Sequence, residues 1–253
     1  MARTPAQLTT LLRGLTARLR VVLGTNLVGF YLSGSITQRA FDPRRSDIDC
    51  VVVTRRDLSD SQVRKLGAWL DESARMNPWT SRLQLQFLPR NQILTMNARA
   101  CLYQFGVLNR TGSDGNPIIW MNILKTGRVL HGPRPESFVP EITRKMLFEA
   151  LVRELGYLRE EISEKPESEW RDIPKHQAYA VMTVCRILYS FNKGTVVSKP
   201  RAALWAFTTL PKEWHPIIRQ AVAFDRGERK SGISLTRIRE LLEFAAGRLG
   251  SRP

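Results

Sequence analysis

The 253 residues, 43% hydrophobic and 25% charged, suffice for one large or two small domains and sit at the globular average, which excludes a peptide scaffold, a many-domain assembly and a largely disordered chain. The outlying quantity is charge: 39 Lys and Arg against 23 Asp and Glu leave +16, a field that draws polyanions such as a nucleoside triphosphate, a nucleic acid or an anionic membrane face. Cys50, Cys101 and Cys185 are odd in number and far apart, and with His131, His176 and His215 they show no metal-ligand spacing, so a disulfide framework or a zinc site is not expected and a reducing cytoplasm is.

The first element is a helix. Leu8, Leu11, Leu12, Leu15, Leu19 and Val22 recur at three- and four-residue spacing, as on a helix that lays one face on a core. Arg3, Arg13, Arg18 and Arg20, with no acid before Asp42, have the composition of a mitochondrial presequence. The helix nevertheless runs without a cleavable linker into the apolar strand Leu27 to Leu32, which favours the core helix. The longest uncharged apolar run, Val21 to Leu32, is too short to span a bilayer, and a soluble protein with no membrane partner is expected.

The turn Ser33-Gly34-Ser35 follows, then a polar stretch, then a β-branched strand from Ile48 to Val53 that reads as buried on both faces. A helix over Ser61 to Met76 opens with a cap at Ser59 or Asp60. A third strand, Leu83 to Leu88, alternates Leu83, Leu85 and Phe87 with Gln84 and Gln86, giving an α/β first half with a small mixed sheet. From Lys145 onward only helices are expected: one on Leu147, Leu151, Leu155, Leu158 and Ile162, one over Ala178 to Phe191 stopped by Asn192-Lys193-Gly194, and one over Ile233 to Leu249. The fold class is thus an α/β first domain, 1–144, and an all-α second domain, 145–253, with Gly132-Pro133-Arg134-Pro135 as the linker.

Two features of the first half carry chemistry. At Gly34-Ser35 the backbone can approach a phosphate closely. Twelve residues on, Asp47-Ile48-Asp49 opens the second strand, where side chains two apart face the same way and two carboxylates can share Mg²⁺. Asp is disfavoured in strands, and two adjacent carboxylates at the edge of a core repel each other unless a cation neutralises them.

The stretch Leu32 to Val53, LSGSITQRAFDPRRSDIDCVVV, resembles the signature of the polymerase-β-type nucleotidyltransferase superfamily. The stretch Trp170 to Pro211, WRDIPKHQAYAVMTVCRILYSFNKGTVVSKPRAALWAFTTLP, is similar to the helical domain of aminoglycoside adenylyltransferases that modify streptomycin and spectinomycin. The resemblance implies a nucleotidyltransferase that moves AMP from ATP, as co-substrate, to a hydroxyl of an aminoglycoside. It implies that Gly34, Ser35 and Ser46 contact the triphosphate, that Asp47 and Asp49 hold Mg²⁺, and that Arg186 and Lys199 reach the ATP phosphates. It also implies that Trp170 and Asp172 contact the antibiotic, although one residue fewer follows Trp170 than in the family pattern. A resistance enzyme acting as a cytoplasmic monomer is the corresponding expectation.

Between Glu160 and Asp172 six acids, Glu160, Glu161, Glu164, Glu167, Glu169 and Asp172, stand against Lys165 and Arg171. That is a patch suited to a polycation, though Glu160, Glu161 and Glu164 also read as the solvated end of a helix. The sequence departs from the family at Gln84, which occupies the position of a glutamate that takes the proton from the attacking hydroxyl. An amide cannot accept that proton, and loss of a general base costs about 10²- to 10⁴-fold. The alternative expectation is therefore a catalytically impaired member that binds nucleotide or RNA through its basic surface.

Overall fold

The computed structural model describes residues 5–96, 100–110, 112, 115–165 and 168–250. The chain divides into two compact units, Met1–Glu141 and Ile142–Pro253. In the first unit, helix α1 (Ala6–Leu23) buries Leu8, Leu11, Leu12, Leu15, Leu19 and Leu23 and leads into strand β1 (Leu27–Leu32). Strand β2 (Ile48–Thr54) returns antiparallel to β1, with Leu32 opposite Cys50. Helix α2 (Asp60–Met76) starts with a full capping box, in which the Ser59 side chain accepts from the Gln62 N–H and the Gln62 side chain accepts from the Ser59 N–H. This satisfies two of the amide donors that a helix start leaves over.

After α2 the chain enters strand β3 (Leu83–Pro89), parallel to β2 with Asp49 beside Gln84. Strands β4 (Leu102–Gln104) and β5 (Val107–Asn109) form a hairpin on β3. Its two turn residues, Phe105 and Gly106, have φ of 53° and 80°, the backbone that a tight two-residue hairpin demands. Helix α3 (Pro117–Thr126) and strand β6 (Arg128–His131) complete the unit, and β6 pairs with β1. The sheet is mixed, in the order β5-β4-β3-β2-β1-β6.

One face of the sheet carries the main core: Phe30, Leu32, Ile48, Cys50, Val52, Leu83, Leu85 and Phe87 cluster with the buried leucines of α1 and α2. On the other face the Tyr31 ring lies 6.3 Å from Trp120 of α3 and 6.0 Å from Phe138, and its hydroxyl donates to the Pro133 carbonyl at 2.9 Å. The Gly132–Pro135 segment is therefore folded onto the first unit rather than serving as a linker, and the division falls later, between Glu141 and Ile142. Its turn composition is real, but the aromatic contacts of Phe138 hold the chain in place beyond it.

The second unit is helical. Helix α4 (Arg144–Arg159) continues into a π turn, Glu160–Glu164. Helix α5 (Pro174–Lys193) has buried side chains around much of its circumference, from Gln177 to Ser190, and lies against α4, α6 (Lys199–Thr209), α7 (His215–Arg226) and α8 (Leu235–Gly250). It begins four residues before the expected Ala178 because Pro174 occupies the first turn, where a missing N–H costs nothing, and it ends at Gly194 as expected. Among the described residues no helix is long and apolar enough to cross a membrane.

Candidate functional site

In the first unit the candidate site gathers where β1 ends and β2 begins. The Ser33 N–H donates to the Asp49 carbonyl at 2.9 Å, so the turn after β1 is tied to the start of β2. Gly34 has φ of 70°, and a Cβ there would fall 1.8 Å from Oδ2 of Asp49. Only glycine lets this backbone lie against the carboxylate. The turn is held on α3 by hydrogen bonds from Gln38 to Asn122 and between the hydroxyls of Thr37 and Thr126.

Asp49 is half-buried on the sheet face opposite the main core, and Asp47, two residues earlier, is half-buried as well. The neighbouring strand brings Gln84 beside them, and its Nε2 donates to Oδ2 of Asp47 at 3.3 Å. Among the described residues no group of three or more His, Cys, Asp or Glu is placed to hold a metal. The first unit thus offers two carboxylates, a donor set that suits Mg²⁺ when phosphate oxygens and water supply the other ligands. Directly between the two faces, burial first and the Asp49 charge second push the Cys50 thiol well above its ordinary value, which leaves it an inert core residue.

Ser46 is drawn into the preceding loop. Its hydroxyl oxygen accepts from the Asp42 N–H at 2.9 Å, while its own N–H donates to the Asp42 carbonyl at 2.9 Å. Hydrogen bonds from Arg44, then from Arg45, hold the Asp42 carboxyl well below the usual carboxylate range. Arg82, at the foot of β3, donates to the carbonyls of Pro43 and Ser46 and lies 4.6 Å over the Trp79 ring. This clamp fixes the approach to Asp47, and sequence reading missed it because an Arg before a strand carries no spacing signal. Ser35 is half-buried in the turn, and its carbonyl accepts from the Ala40 N–H.

In the second unit Trp170 stands in an aromatic cluster. Tyr157 and Tyr179 meet it edge-on at 5.6 and 5.5 Å, and His176 lies 4.9 Å away at 30°. Lys199, the first residue of α6, places its ammonium 4.0 Å over the Tyr179 ring. Tyr179, Thr183 and Arg186 fall on one face of α5, and Nη2 of Arg186 donates to the Thr183 hydroxyl at 3.4 Å while its buried Nε has no hydrogen-bond partner among the described residues. Trp170 and Lys199 are therefore both brought against Tyr179, a residue that sequence reading passed over, and Arg186 stands two turns further along the same helix. The place of Tyr179 seven residues before Arg186 was the available signal.

Residues 137–249 match the family model of the aminoglycoside adenylyltransferase C-terminal domain. The match covers less than half of the chain and lies in its helical part, which is similar to that family's C-terminal domain. An aminoglycoside (3'') (9) adenylyltransferase of Rhizobium radiobacter is 26% identical over 122 residues, which is 47% of this chain and 42% of that relative. The match thus spans less than half of the relative's length. The crystal structure of spectinomycin adenyltransferase AAD(9) from Enterococcus faecialis with ATP and spectinomycin is similar with a TM-score of 0.72 at 18% identity, covering 98% of this chain and 100% of that one. This is a likeness of fold, and it agrees with the α/β half and helical half expected from the sequence.

Within the helical unit the expected acidic patch is largely spent on internal contacts. Lys165 pairs with both Glu160 and Glu161 at 2.9 Å, and Glu161 also accepts from the Ser168 hydroxyl at 2.6 Å. Glu169 lies 3.9 Å from Nδ1 of His176. Glu164 and Asp172 are exposed, and Glu167 lies outside the described residues. Asp172 joins the turn through its N–H, which donates to the Glu169 carbonyl at 3.2 Å, and it stands apart from the ring contacts that surround Trp170.

Proposed function

We propose that the protein is a nucleotidyltransferase that moves AMP from ATP to a hydroxyl of an aminoglycoside-type acceptor. The observation that carries this reading is the pairing of Asp47 and Asp49 at the start of β2 with the backbone of Gly34 laid against Asp49. The aminoglycoside adenylyltransferase match of the helical half supports the choice of acceptor. Asp47 and Asp49 would hold Mg²⁺, which when bound screens the phosphate charge and polarises the phosphoryl oxygens. Gly34, Ser35 and Ser46 would line the triphosphate. Ser46 still has its hydroxyl hydrogen to donate, since its oxygen is the acceptor in the loop.

The acceptor oxygen attacks the α-phosphorus, the bond to the β-phosphate oxygen breaks and pyrophosphate leaves, and the hydroxyl proton passes to water. Arg186 and Lys199 are the cations assigned to the phosphates, and Trp170 and Asp172 the contacts assigned to the acceptor. Gln84 cannot take the hydroxyl proton, so turnover is set about 10²- to 10⁴-fold below that of a chain with a carboxylate there. The protein would work as a cytoplasmic monomer. The test is pyrophosphate release from Mg²⁺-ATP in the presence of streptomycin, spectinomycin and other hydroxyl-bearing antibiotics. Release above the acceptor-free background with at least one of them is expected, and none with any of them would overturn the reading.

A second reading is a protein that binds nucleotide without turning it over. The hydrogen bond from Gln84 to Asp47 favours it, because that amide quiets a carboxylate that a third acid would repel. Thermal stabilisation by Mg²⁺-ATP with no pyrophosphate release would select it.

A further inference from the structure

On the main-core face of the sheet, opposite Asp49, a groove of about 280 Å³ runs between α1 and the edge strand β6. It is lined by Thr9, Leu12, Arg13, Thr16, Ala17, Arg20, Arg128 and Leu130. No acidic side chain is among its walls. The guanidinium groups of Arg13, Arg20 and Arg128 are exposed and make no hydrogen bond or ion pair with the described residues. No acid precedes Asp42 in the chain, so nothing on α1 itself offsets them.

Three unpaired guanidiniums held along one groove mark a surface for an extended anion rather than a compact one. Arg13 and Arg20 are seven residues apart on one helix, about 10 Å along its axis, a separation that reaches more than one phosphate of an extended strand and exceeds the size of a single compact anion. Leu12 and Leu130 form an apolar floor between the cations, and no aromatic ring lies among the lining residues, so the groove offers no stacking platform for bases.

The two threonines decide between strands. The Thr9 hydroxyl donates to the Pro5 carbonyl and the Thr16 hydroxyl to the Leu12 carbonyl at 2.7 Å. Both residues line the groove, and with their hydrogens committed their oxygens can act only as acceptors. A phosphodiester has no donor to offer them, whereas the ribose 2′-hydroxyl does, and that group is what lets a protein separate RNA from DNA. The exposed side of α1 lacks the row of large apolar residues that an interfacial helix inserts into a bilayer, Val21 being the lone exposed one. We infer that the α1–β6 groove binds the backbone of a single RNA strand, its phosphates on Arg13, Arg20 and Arg128 and its 2′-hydroxyls on Thr9 and Thr16. This site is independent of the nucleotide site on the other face.

The experiment is fluorescence anisotropy of the full chain with a labelled mixed-sequence RNA of about 20 nucleotides, the same sequence as DNA, and phosphatidylserine vesicles, over a range of salt. RNA should bind at least about threefold more tightly than DNA. In the variant Arg13→Gln/Arg20→Gln/Arg128→Gln the RNA affinity should fall about tenfold or more, and the slope of log affinity against log salt should shrink by about 2, near 0.7 for each cation lost. The matching Arg→Lys triple variant should keep the slope, and Thr9→Val/Thr16→Val should erase the preference for RNA while leaving DNA binding as it was. Unchanged affinity and slope in the glutamine variant, or equal binding of RNA and DNA by the wild-type chain, overturns the inference. Binding to vesicles in place of RNA overturns it equally.

Discussion

At the scale of single residues the proposed chemistry turns on Asp47, Asp49 and Gln84. Each aspartate is the other's nearest like charge along the strand, and Gln84 contributes a neutral donor at 3.3 Å from Asp47. Replacing Asp47 or Asp49 by Asn removes a carboxylate ligand and a source of repulsion together. The expected outcome in differential scanning fluorimetry is a melting temperature that holds or rises without Mg²⁺ and no longer responds to Mg²⁺-ATP. An undiminished response in both variants would mean that the cation is held elsewhere. Gln84→Glu is nearly isosteric and restores a proton acceptor. It should raise turnover about tenfold or more under saturating Mg²⁺-ATP, within the range that a positioned base supplies, and should lower stability only when the metal is withheld. A folded variant with an unchanged rate would show that the proton leaves by another route. That Asp47 and Asp49 share a face was legible because side chains two apart on a strand point the same way, whereas Gly34 was read from the turn at a strand end and Gln84 only from the family resemblance. Arg82 was not legible, since an arginine that clamps carbonyls acts through tertiary contacts with no sequence period, and Tyr179 offered only its helical spacing from Arg186, a signal that does not reveal the lysine over its ring.

At the scale of elements, the turn between the π segment and α5 is organised around one carboxylate. Hydrogen bonds from Ser168, then from Lys165, hold Glu161 below the usual glutamate range, and its side chain is only 13% exposed. A carboxyl whose folded value is depressed contributes stability above its unfolded value, about 4.3, and that contribution is lost as the pH falls through the folded value. Glu161→Gln should therefore cost about 1 kcal/mol at pH near 7 and almost nothing near pH 2. Urea denaturation at the two pH values measures the difference, and a cost that persists in acid would assign it to packing instead. The long elements were readable from the sequence: α1 and β3 present one apolar face, β1 and β2 are nearly continuous apolar runs, and α2 follows a clear capping residue. Strands β4, β5 and β6, three or four residues each, are too short to show a period, and Pro117 followed by a nearly continuous apolar run gave α3 no polar face to contrast with.

At the scale of the whole molecule the dominant quantity is +16. Self-repulsion of this size destabilises the compact state and is screened once the Debye length falls below the spacing of surface charges, about 10 Å at 0.1 M salt. The few exposed ion pairs are worth little by comparison. The melting temperature should consequently rise by about 2 °C or more between low salt and about 0.3 M NaCl. A fall over that interval would place net attraction, not repulsion, in control. The charge was legible from composition, but its consequence for partners was not, because composition does not show that Arg13, Arg20 and Arg128 share one groove while Glu160 and Glu161 are neutralised by Lys165.

The short strand β6 has a protective role that its four residues do not advertise. β1 reads Leu-Val-Gly-Phe-Tyr-Leu, an uncharged and proline-free hexapeptide of the kind that stacks into cross-β fibrils when its edge lies open. β2 covers one edge of it and β6 the other, and β6 itself ends the sheet with Arg128 and His131, charges and near-charges that discourage a further strand. A chain cut before Arg128 keeps every residue of the Ser33–Ser35 turn yet uncovers that edge. Such a fragment should form thioflavin-positive fibrils under conditions in which the full chain stays clear, and a fragment that remains soluble and monomeric would show that β1 is guarded some other way.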